Sequence, residues 1–392
     1  MKNIIFNRIK KLSDTLKKKG IDIALIMQNA DMFYYSNTIP SGLLAISSDN
    51  RSIFMIRRGY KRAENESPIE KDNLIPVKGL SESTNILNER NIKFNTIGIE
   101  KDVLSVDIFE RLQKIFKNSK FVDISGDIRW QRSRKDSYEI SLMKKAAEML
   151  DETMNDAKKI LKSGMKEIEA SAELEYRTRK RGHQGLCRMR GFNGEVFMGH
   201  VHSGARSAYP SAPLKPTAGL GPYTSYPEGA SFEKIEANTP ITVDFLGNYA
   251  GYMSDETRIF AIGHLEQEYV NAYNFCREVL EWMEDYAKPG VIAEEIYYKS
   301  LEMAEKAGYK DNFMGIQSNQ VPFVGHGIGI ELDEFPFIAK NQDYPLDEGM
   351  TYAFEPKIAF ENRGAVGIEN TYIVTKNGVE PFNKYSREIT YL

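Results

Sequence analysis

The stretch ITVDFLGNYAGYMSDETRIF, residues 241–260, decides the fold of this chain. Residues 242–246 are mostly β-branched or aromatic, and residues 253–260 form a second strand-like run. The turn-forming segment GNYAG, residues 247–251, lies between them, so the stretch predicts a β-hairpin. Asp244 and Asp255 are equidistant from the middle of that turn. In a regular hairpin they are expected to be cross-strand neighbours on one face, roughly 5 Å apart at Cβ.

A second hairpin of the same design is predicted downstream. Residues 351–360 and 365–374 have the composition of strands, and they flank the turn-forming segment ENRG, residues 361–364. Glu355 and Glu369 are equidistant from Asn362 in this turn. A second pair of acids is therefore expected to face each other across a hairpin.

Two pairs of facing acids need a physical reason, because like charges opposite one another destabilise a sheet. Acids on a solvated sheet face would cost little, and that interpretation stays open for either pair alone. Asp244 and Glu355, however, lie in apolar runs that look interior, where like charges require a cation or a shared proton. Converging carboxylates suit divalent ions such as Mn²⁺, Zn²⁺ or Co²⁺, with two bridged ions about 3.5–4 Å apart.

Histidines supply a further candidate ligand. His326 lies in VGHGIGI, residues 324–330, where the flanking glycines let the backbone approach a crowded site closely. His200 and His202 alternate in GHVHSG, residues 199–204, so both side chains can point to one face. That pair is either a second metal site or substrate contact, or an anchor for its loop.

The chain is expected to form two domains, because 392 residues exceed one ordinary core. Helical and strand-like segments alternate up to residue 133, which predicts a small α/β domain over residues 1–133. Asp136 and Glu139 then have the spacing of a capping box that opens a long helix. Residues 134–392 are predicted to form the larger domain, with helices followed by hairpins.

Composition excludes several classes of partner. The net charge of -3 gives no basic face for nucleic acid, and no apolar run is long enough to span a membrane. The lysine-rich start has apolar residues at helical spacing, which predicts an amphipathic helix and not a secretory signal. Two cysteines are too few for a disulfide framework, so a cytoplasmic location is expected.

Four motifs together resemble the creatinase/aminopeptidase P/prolidase family of metallopeptidases. They are VDFLGNYAGYMSDETR (243–258), GHGIGIE (325–331), GMTYAFEP (349–356) and GIENT (367–371). The resemblance implies an α+β fold, with a pita-bread catalytic domain preceded by a smaller α/β creatinase-type domain. It also implies a homodimer that acts on a small peptide or other small molecule, and two divalent metal ions, manganese first, with zinc, cobalt or iron as other choices.

The resemblance also implies the roles of single residues. Asp244 would chelate one ion, and Asp255 would bridge the pair. Glu369 would be the second bridge, while His326 and Glu355 would bind the other ion. The expected activity is that of an exopeptidase cleaving Xaa-Pro bonds, through a metal-activated hydroxide with Glu355 shuttling the proton.

Three departures from the family pattern lie where substrate is handled. Ser211 and Asp333 stand where these peptidases carry histidines, and Gly367 stands where they usually carry arginine. His202 and Asp333 are the catalytic candidates that could replace the missing imidazoles, with Tyr209 and Tyr223 as other possibilities. The departures keep open a C–N hydrolase or lyase acting on a small charged metabolite, and a non-catalytic binding protein as a third reading.

Overall fold

The computed structural model describes residues 1–210 and 215–392, which divide into two compact units. One unit consists of Met1–Arg132 with Arg190–Asn193, and the other of Ser133–Met189 with Gly194–Leu392. Each unit has its own buried apolar core.

The first unit is built around a mixed sheet, as the alternating pattern of the sequence predicts. Its helices are α1 (Lys2–Lys18), α2 (Asn29–Ser36), α3 (Tyr60–Glu66), α4 (Ser83–Glu89), α5 (Val106–Ile115) and α6 (Ser125–Ser133). Its strands are β1 (Ile23–Ile26), β2 (Ser41–Ser47), β3 (Ser52–Arg58), β4 (Leu74–Pro76), β5 (Thr96–Ile99) and β6 (Lys120–Asp123). They are ordered β4-β3-β2-β1-β5-β6, with β1 antiparallel to β2 and parallel to β5.

The second unit combines helices with antiparallel sheets, which is an α+β pita-bread arrangement. Its helices are α7 (Ser137–Ile160), α8 (Glu167–Lys180), α9 (Gln267–Tyr286) and α10 (Ala293–Lys306). Its strands begin with β7 (Gly199–Ser203), β8 (Ile241–Tyr249), β9 (Tyr252–Ala261), β10 (Phe323–Ile328) and β11 (Leu332–Ala339). They continue with β12 (Thr351–Phe354), β13 (Lys357–Phe360), β14 (Gly364–Gly367), β15 (Asn370–Thr375), β16 (Gly378–Pro381) and β17 (Thr390–Tyr391). The sheets are ordered β17-β9-β8-β7, β11-β10-β12-β15-β16 and β13-β14.

Helix α7 fixes the position of the β8–β9 hairpin. The predicted capping box opens it: the Asp136 side chain accepts from Glu139 N, and Glu139 Oε2 accepts from Asp136 N at 2.9 Å. The helix packs on β8 so closely that a Cβ at Gly247 would come within 2.4 Å of the Ala146 carbonyl oxygen. Val243 and Phe245 point into this core, so Asp244 between them faces the opposite side of the sheet.

The first hairpin forms, but its predicted register is wrong by two residues. Tyr249 pairs with Tyr252, so Ala250 and Gly251 alone make the turn, both with positive φ (51° and 90°). Asp244 is therefore opposite Thr257 and not opposite Asp255. The two aspartates still share a face, because Asp255 lies two residues before Thr257.

The second hairpin has the register that the sequence predicts. Phe360 pairs with Gly364 around the turn, and Thr351 pairs with Ile373 farther along. The strands separate between β12–β15 and β13–β14, and Glu355 and Glu369 lie at this separation. Glu369 instead forms a bridge with Thr257, which joins the second hairpin to the first.

Candidate metal centre

One histidine and three acids converge in the second unit. His326 Nε2 lies 3.9 Å from Asp255 Oδ2, 3.7 Å from Glu355 Oε1 and 3.9 Å from Glu369 Oε1. Asp255, His326 and Glu369 each offer a ligand atom, and these atoms all lie within 4.8 Å of one another. The structure thus brings together four of the five ligands predicted from the sequence.

The fifth predicted ligand, Asp244, contacts Lys357, which also contacts Glu355 and Glu369. Lys357 is not among the residues selected from the sequence. Lys357 Nζ lies 2.7 Å from Glu355 Oε2, 3.2 Å from Asp244 Oδ2 and 3.4 Å from Glu369 Oε2. The lysine is buried, with 4% of its side chain exposed. Its signal in the sequence is its place two residues after Glu355, on the same strand face within an otherwise apolar run.

The free oxygens of this cluster fit a metal ion. Asp255 Oδ1 and Glu369 Oε1 are buried and accept no hydrogen bond within the described residues, although such atoms are normally satisfied. Burial and nearby carboxylates raise the pKa of Asp255 well above its usual range, and raise that of Glu369 to about 7. Charging these acids is therefore costly without a cation, and imidazole with carboxylate suits a divalent one.

The pKa of Lys357 is shifted in the direction that favours its charged form, whereas the shifts at Asp255 and Glu369 disfavour theirs. Burial disfavours its charge, but the carboxylates of Asp244, Glu355 and Glu369 outweigh burial and hold its pKa well above the usual range. The lysine therefore remains an ammonium ion inside the cluster.

Backbone and hydroxyl contacts hold the acids in place. The Asp255 N–H donates to Thr371 Oγ1 at 2.8 Å, and the same hydroxyl donates to the Asp255 carbonyl at 3.1 Å. Thr257 Oγ1 donates to Glu369 Oε2 at 2.7 Å. Buried Arg258 donates to the Glu369 carbonyl at 2.7 Å. The ligands from both hairpins are thus oriented by residues of the other hairpin.

Asp333 contacts the far side of the His326 ring. His326 Nδ1 lies 3.3 Å from the Gly327 carbonyl and 3.6 Å from Asp333 Oδ1. Both oxygens could accept a proton from Nδ1, and these contacts orient the ring with Nε2 toward the acids. Burial alone would lower the pKa of His326, but Asp333, Glu355 and Glu369 raise it.

The cluster lines a cavity of about 80 Å³ that is partly open to solvent. His200, Lys215 and Asp333 also line this cavity, together with the apolar side chains of Phe197 and Phe323. Ser211 lies outside the described residues. Tyr209 and Tyr223, the other substitutes considered from sequence, are not among the described lining residues and are 47% and 68% exposed.

The paired histidines have different surroundings. His200 lines the cavity, with Nε2 3.6 Å from Glu228 Oε1. His202 is fully buried beside the His200 ring, with ring centroids 5.1 Å apart, and neither of its nitrogens has a hydrogen-bond partner in the described residues. Burial lowers the pKa of His202 to about 4, so this imidazole is neutral. Of the pair considered from the sequence, His200 is therefore the histidine at the cavity, whereas His202, the catalytic candidate, is not among the described lining residues.

Comparison with protein families identifies the family of the chain. The metallopeptidase family M24 profile matches residues 141–376, and the creatinase/prolidase N-terminal domain profile matches residues 8–134. The chain belongs to metallopeptidase family M24. It is a metallohydrolase, and its family implies divalent metal ions.

Relatives of this M24 chain match it from end to end. The chain is 28% identical over 391 residues to an Xaa-Pro dipeptidase of Pyrococcus horikoshii, covering 99% of both proteins. A solved structure of an Xaa-Pro dipeptidase from Bacillus anthracis is 28% identical, with a TM-score of 0.84 and coverage of 99% and 100%. An X-Pro aminopeptidase structure from Thermotoga maritima is also 28% identical, with a TM-score of 0.81 and coverage of 98% and 99%.

None of the helices in the described part of this M24 chain combines the length and the apolarity needed to cross a bilayer.

Proposed function

We propose that this chain is a divalent-metal-dependent exopeptidase that cleaves Xaa-Pro bonds, as a prolidase-like dipeptidase or an aminopeptidase P. The observation that carries the proposal is the buried cluster of His326 with Asp255, Glu355 and Glu369 at the base of an open cavity. End-to-end similarity to Xaa-Pro dipeptidases supports the substrate class. It also disfavours the alternatives of a C–N hydrolase or lyase and of a binding protein.

The metal ligands remain those proposed from the sequence: Asp244, Asp255, His326, Glu355 and Glu369. A divalent ion bound there would lower the pKa of a water molecule and polarise the substrate carbonyl. We expect manganese, with zinc, cobalt or iron as other choices. The resemblance predicts two ions. Lys357 lies between three of the five residues, Asp244, Glu355 and Glu369, and its positive charge affects how many ions can bind.

Glu355 is the proposed general base. Its Oε2 accepts a hydrogen bond from Lys357 Nζ at 2.7 Å, which leaves Oε1, on the His326 side, to take up a proton. Asp333 would position the His326 ring through Nδ1 and contact substrate from the cavity wall. We keep His202 as a catalytic prediction, and we expect its buried, neutral ring to act through the neighbouring His200 and not on substrate directly.

The remaining expectations concern the setting of the enzyme. We propose a small peptide as substrate, a homodimer as the assembly and the cytoplasm as the location. We also keep the domain boundary at residues 133 and 134. The chain's net charge of -3 supports a partner other than nucleic acid.

Hydrolysis of dipeptides tests the proposal. Chelated protein reloaded with Mn²⁺ or Co²⁺ is expected to release proline from Ala-Pro and Leu-Pro, whereas Ala-Ala serves as the matched control without proline. Longer peptides that begin Xaa-Pro distinguish an aminopeptidase from a dipeptidase. If metal-saturated protein cleaves neither class of peptide, the exopeptidase assignment is wrong.

A further inference from the structure

The Lys357 side chain lies where a cation shared by Asp244, Glu355 and Glu369 would bind. Its ammonium group is within 3.4 Å of one oxygen of each acid. These three oxygens surround a single point, as metal ligands do, but the point is already taken by nitrogen. The contacts of 2.7–3.4 Å are hydrogen-bond and ion-pair distances, longer than the roughly 2.0–2.2 Å of a metal–carboxylate bond.

Two of the acids divide their oxygens between two positions. Glu355 and Glu369 direct Oε2 to the ammonium and Oε1 toward His326 Nε2. On the His326 side, Glu369 Oε1 and Asp255 Oδ1 accept no hydrogen bond within the described residues. The lysine ammonium therefore occupies the Oε2 side of the cluster, and the side facing His326 keeps oxygens that are free to bind a metal ion.

Gly367, the cross-strand neighbour of Lys357, leaves space for the aliphatic part of the lysine side chain. Lys357 and Gly367 are cross-strand partners in the β13–β14 hairpin. A Cβ at Gly367 would come within 2.4 Å of Lys357 Cγ, closer than any side chain tolerates. Gly367 is also the position where the sequence departs from the family's usual arginine. Lys357 and Gly367 therefore form one unit, because the lysine fits only beside a residue without a side chain.

A divalent ion and the ammonium group cannot share the Asp244 position. Like charges a few ångströms apart in a buried site repel by several kcal/mol, on the order of 4 kcal/mol per unit pair at 4 Å. Lys357 is buried, with 4% of its side chain exposed, and leaving this position would cost its contacts with three acids. One ammonium with one divalent ion already neutralises three of the four carboxylate charges.

We propose that Lys357 replaces one of the two metal ions, so that this chain binds a single divalent ion between Asp255, His326, Glu355 and Glu369. Asp244 then pairs with the lysine and is not a metal ligand. The inference rests on the metal site of the proposed function, and it changes both the number of ions and the role of Asp244.

Metal stoichiometry of the full chain tests this inference. Chelated protein is reloaded with Mn²⁺ and desalted, metal is counted by mass spectrometry, and the ion's environment is read by electron paramagnetic resonance. We expect about one ion per chain with the spectrum of an isolated Mn²⁺. About two ions with an exchange-coupled spectrum would overturn the inference and leave the metallopeptidase proposal standing. Protein that binds no ion would overturn both.

Two substitutions identify the lysine as the cause. Lys357→Ala removes the ammonium and opens its position, so binding should rise to about two ions with exchange coupling. Lys357→Met keeps most of the volume without the charge and is expected to stay at about one ion, because its side chain still fills the position. An unchanged count of one in folded Lys357→Ala would show that the lysine does not replace an ion.

Discussion

Arg258→Met tests whether the two hairpins are fastened together by one buried side chain. Arg258 is 1% exposed and lies 3.0 Å from Glu256 Oε1. Its guanidinium donates to four carbonyls and one side-chain amide, at distances of 2.7–3.2 Å. These acceptors are Ser386 O, Thr257 O, Glu369 O, Asn370 Oδ1 and Tyr385 O. Methionine is similarly long and unbranched, so the change removes the donors more than the packing.

The expected cost follows from what the substitution leaves behind. Glu256 would be a buried carboxylate without its cation, and several buried carbonyls would lose their donor. Removing one partner of a buried ion pair costs about 3–5 kcal/mol. Arg363→Met is the matched control, because Arg363 is 41% exposed and pairs with Glu266 and Glu268 at the surface. Such exposed pairs contribute under about 1 kcal/mol.

Urea unfolding of both chelated variants, followed by circular dichroism, measures the two costs. Because Arg258 also holds the Glu369 carbonyl, we further expect its replacement to lower Mn²⁺ affinity by about 10-fold to 100-fold. The reasoning is refuted if Arg258→Met loses no more stability than Arg363→Met.

Three further predictions concern single groups at the site. Asp255→Ala should abolish metal binding and turnover, because it removes a buried ligand that accepts no other hydrogen bond at Oδ1. Thr257→Val removes the hydroxyl that orients Glu369 Oε2 and should weaken Mn²⁺ binding by about 10-fold or more, measured by calorimetry. Glu369→Gln should stabilise chelated protein increasingly between pH 4.5 and 7. The raised pKa of Glu369, about 7, makes its contribution fully present below pH 4.5 and lost as the pH rises through 7.

Each of these predictions has a contrary outcome. Full activity of Asp255→Ala would remove Asp255 from the site. Thr242→Val is the control for Thr257→Val, because its buried hydroxyl has no hydrogen-bond partner in the described residues, and equal losses in both variants would contradict the orienting role. Parallel melting temperatures of wild type and Glu369→Gln from pH 4.5 to 7, both in chelator, would contradict the raised pKa.

The hairpins show how far spacing predicts structure. The register of the second hairpin follows from Glu355, Glu369 and the turn at Asn362, whose φ of 56° closes it. The register of the first hairpin shifts by two residues because Ala250 accepts a positive φ beside Gly251, which allows a tighter turn than the five-residue segment suggested. Alternation along the strands still places both aspartates on one face.

Helix α2, the placement of His326 and the burial of Lys357 are harder to predict from the sequence. Helix α2, Asn29–Ser36, is buried on nearly every side, so it lacks the amphipathic stripe by which α1 is recognised. His326 joins the acids only through the path of β10 beside β12, which no local pattern reveals. Lys357 was missed because a lysine in a strand is ordinarily solvated, although its apolar neighbours indicate burial.

The bridge between Thr257 and Glu369, with the paired hydrogen bonds of Thr371 and Asp255, has a consequence for how the enzyme matures. Segments more than 100 residues apart in the chain are joined here by hydrogen bonds between protein groups. We therefore expect the two hairpins to pair before an ion binds, in contrast to zinc fingers, which are unfolded without metal. On that expectation, newly made protein would fold first, and the supply of metal would set when it becomes active.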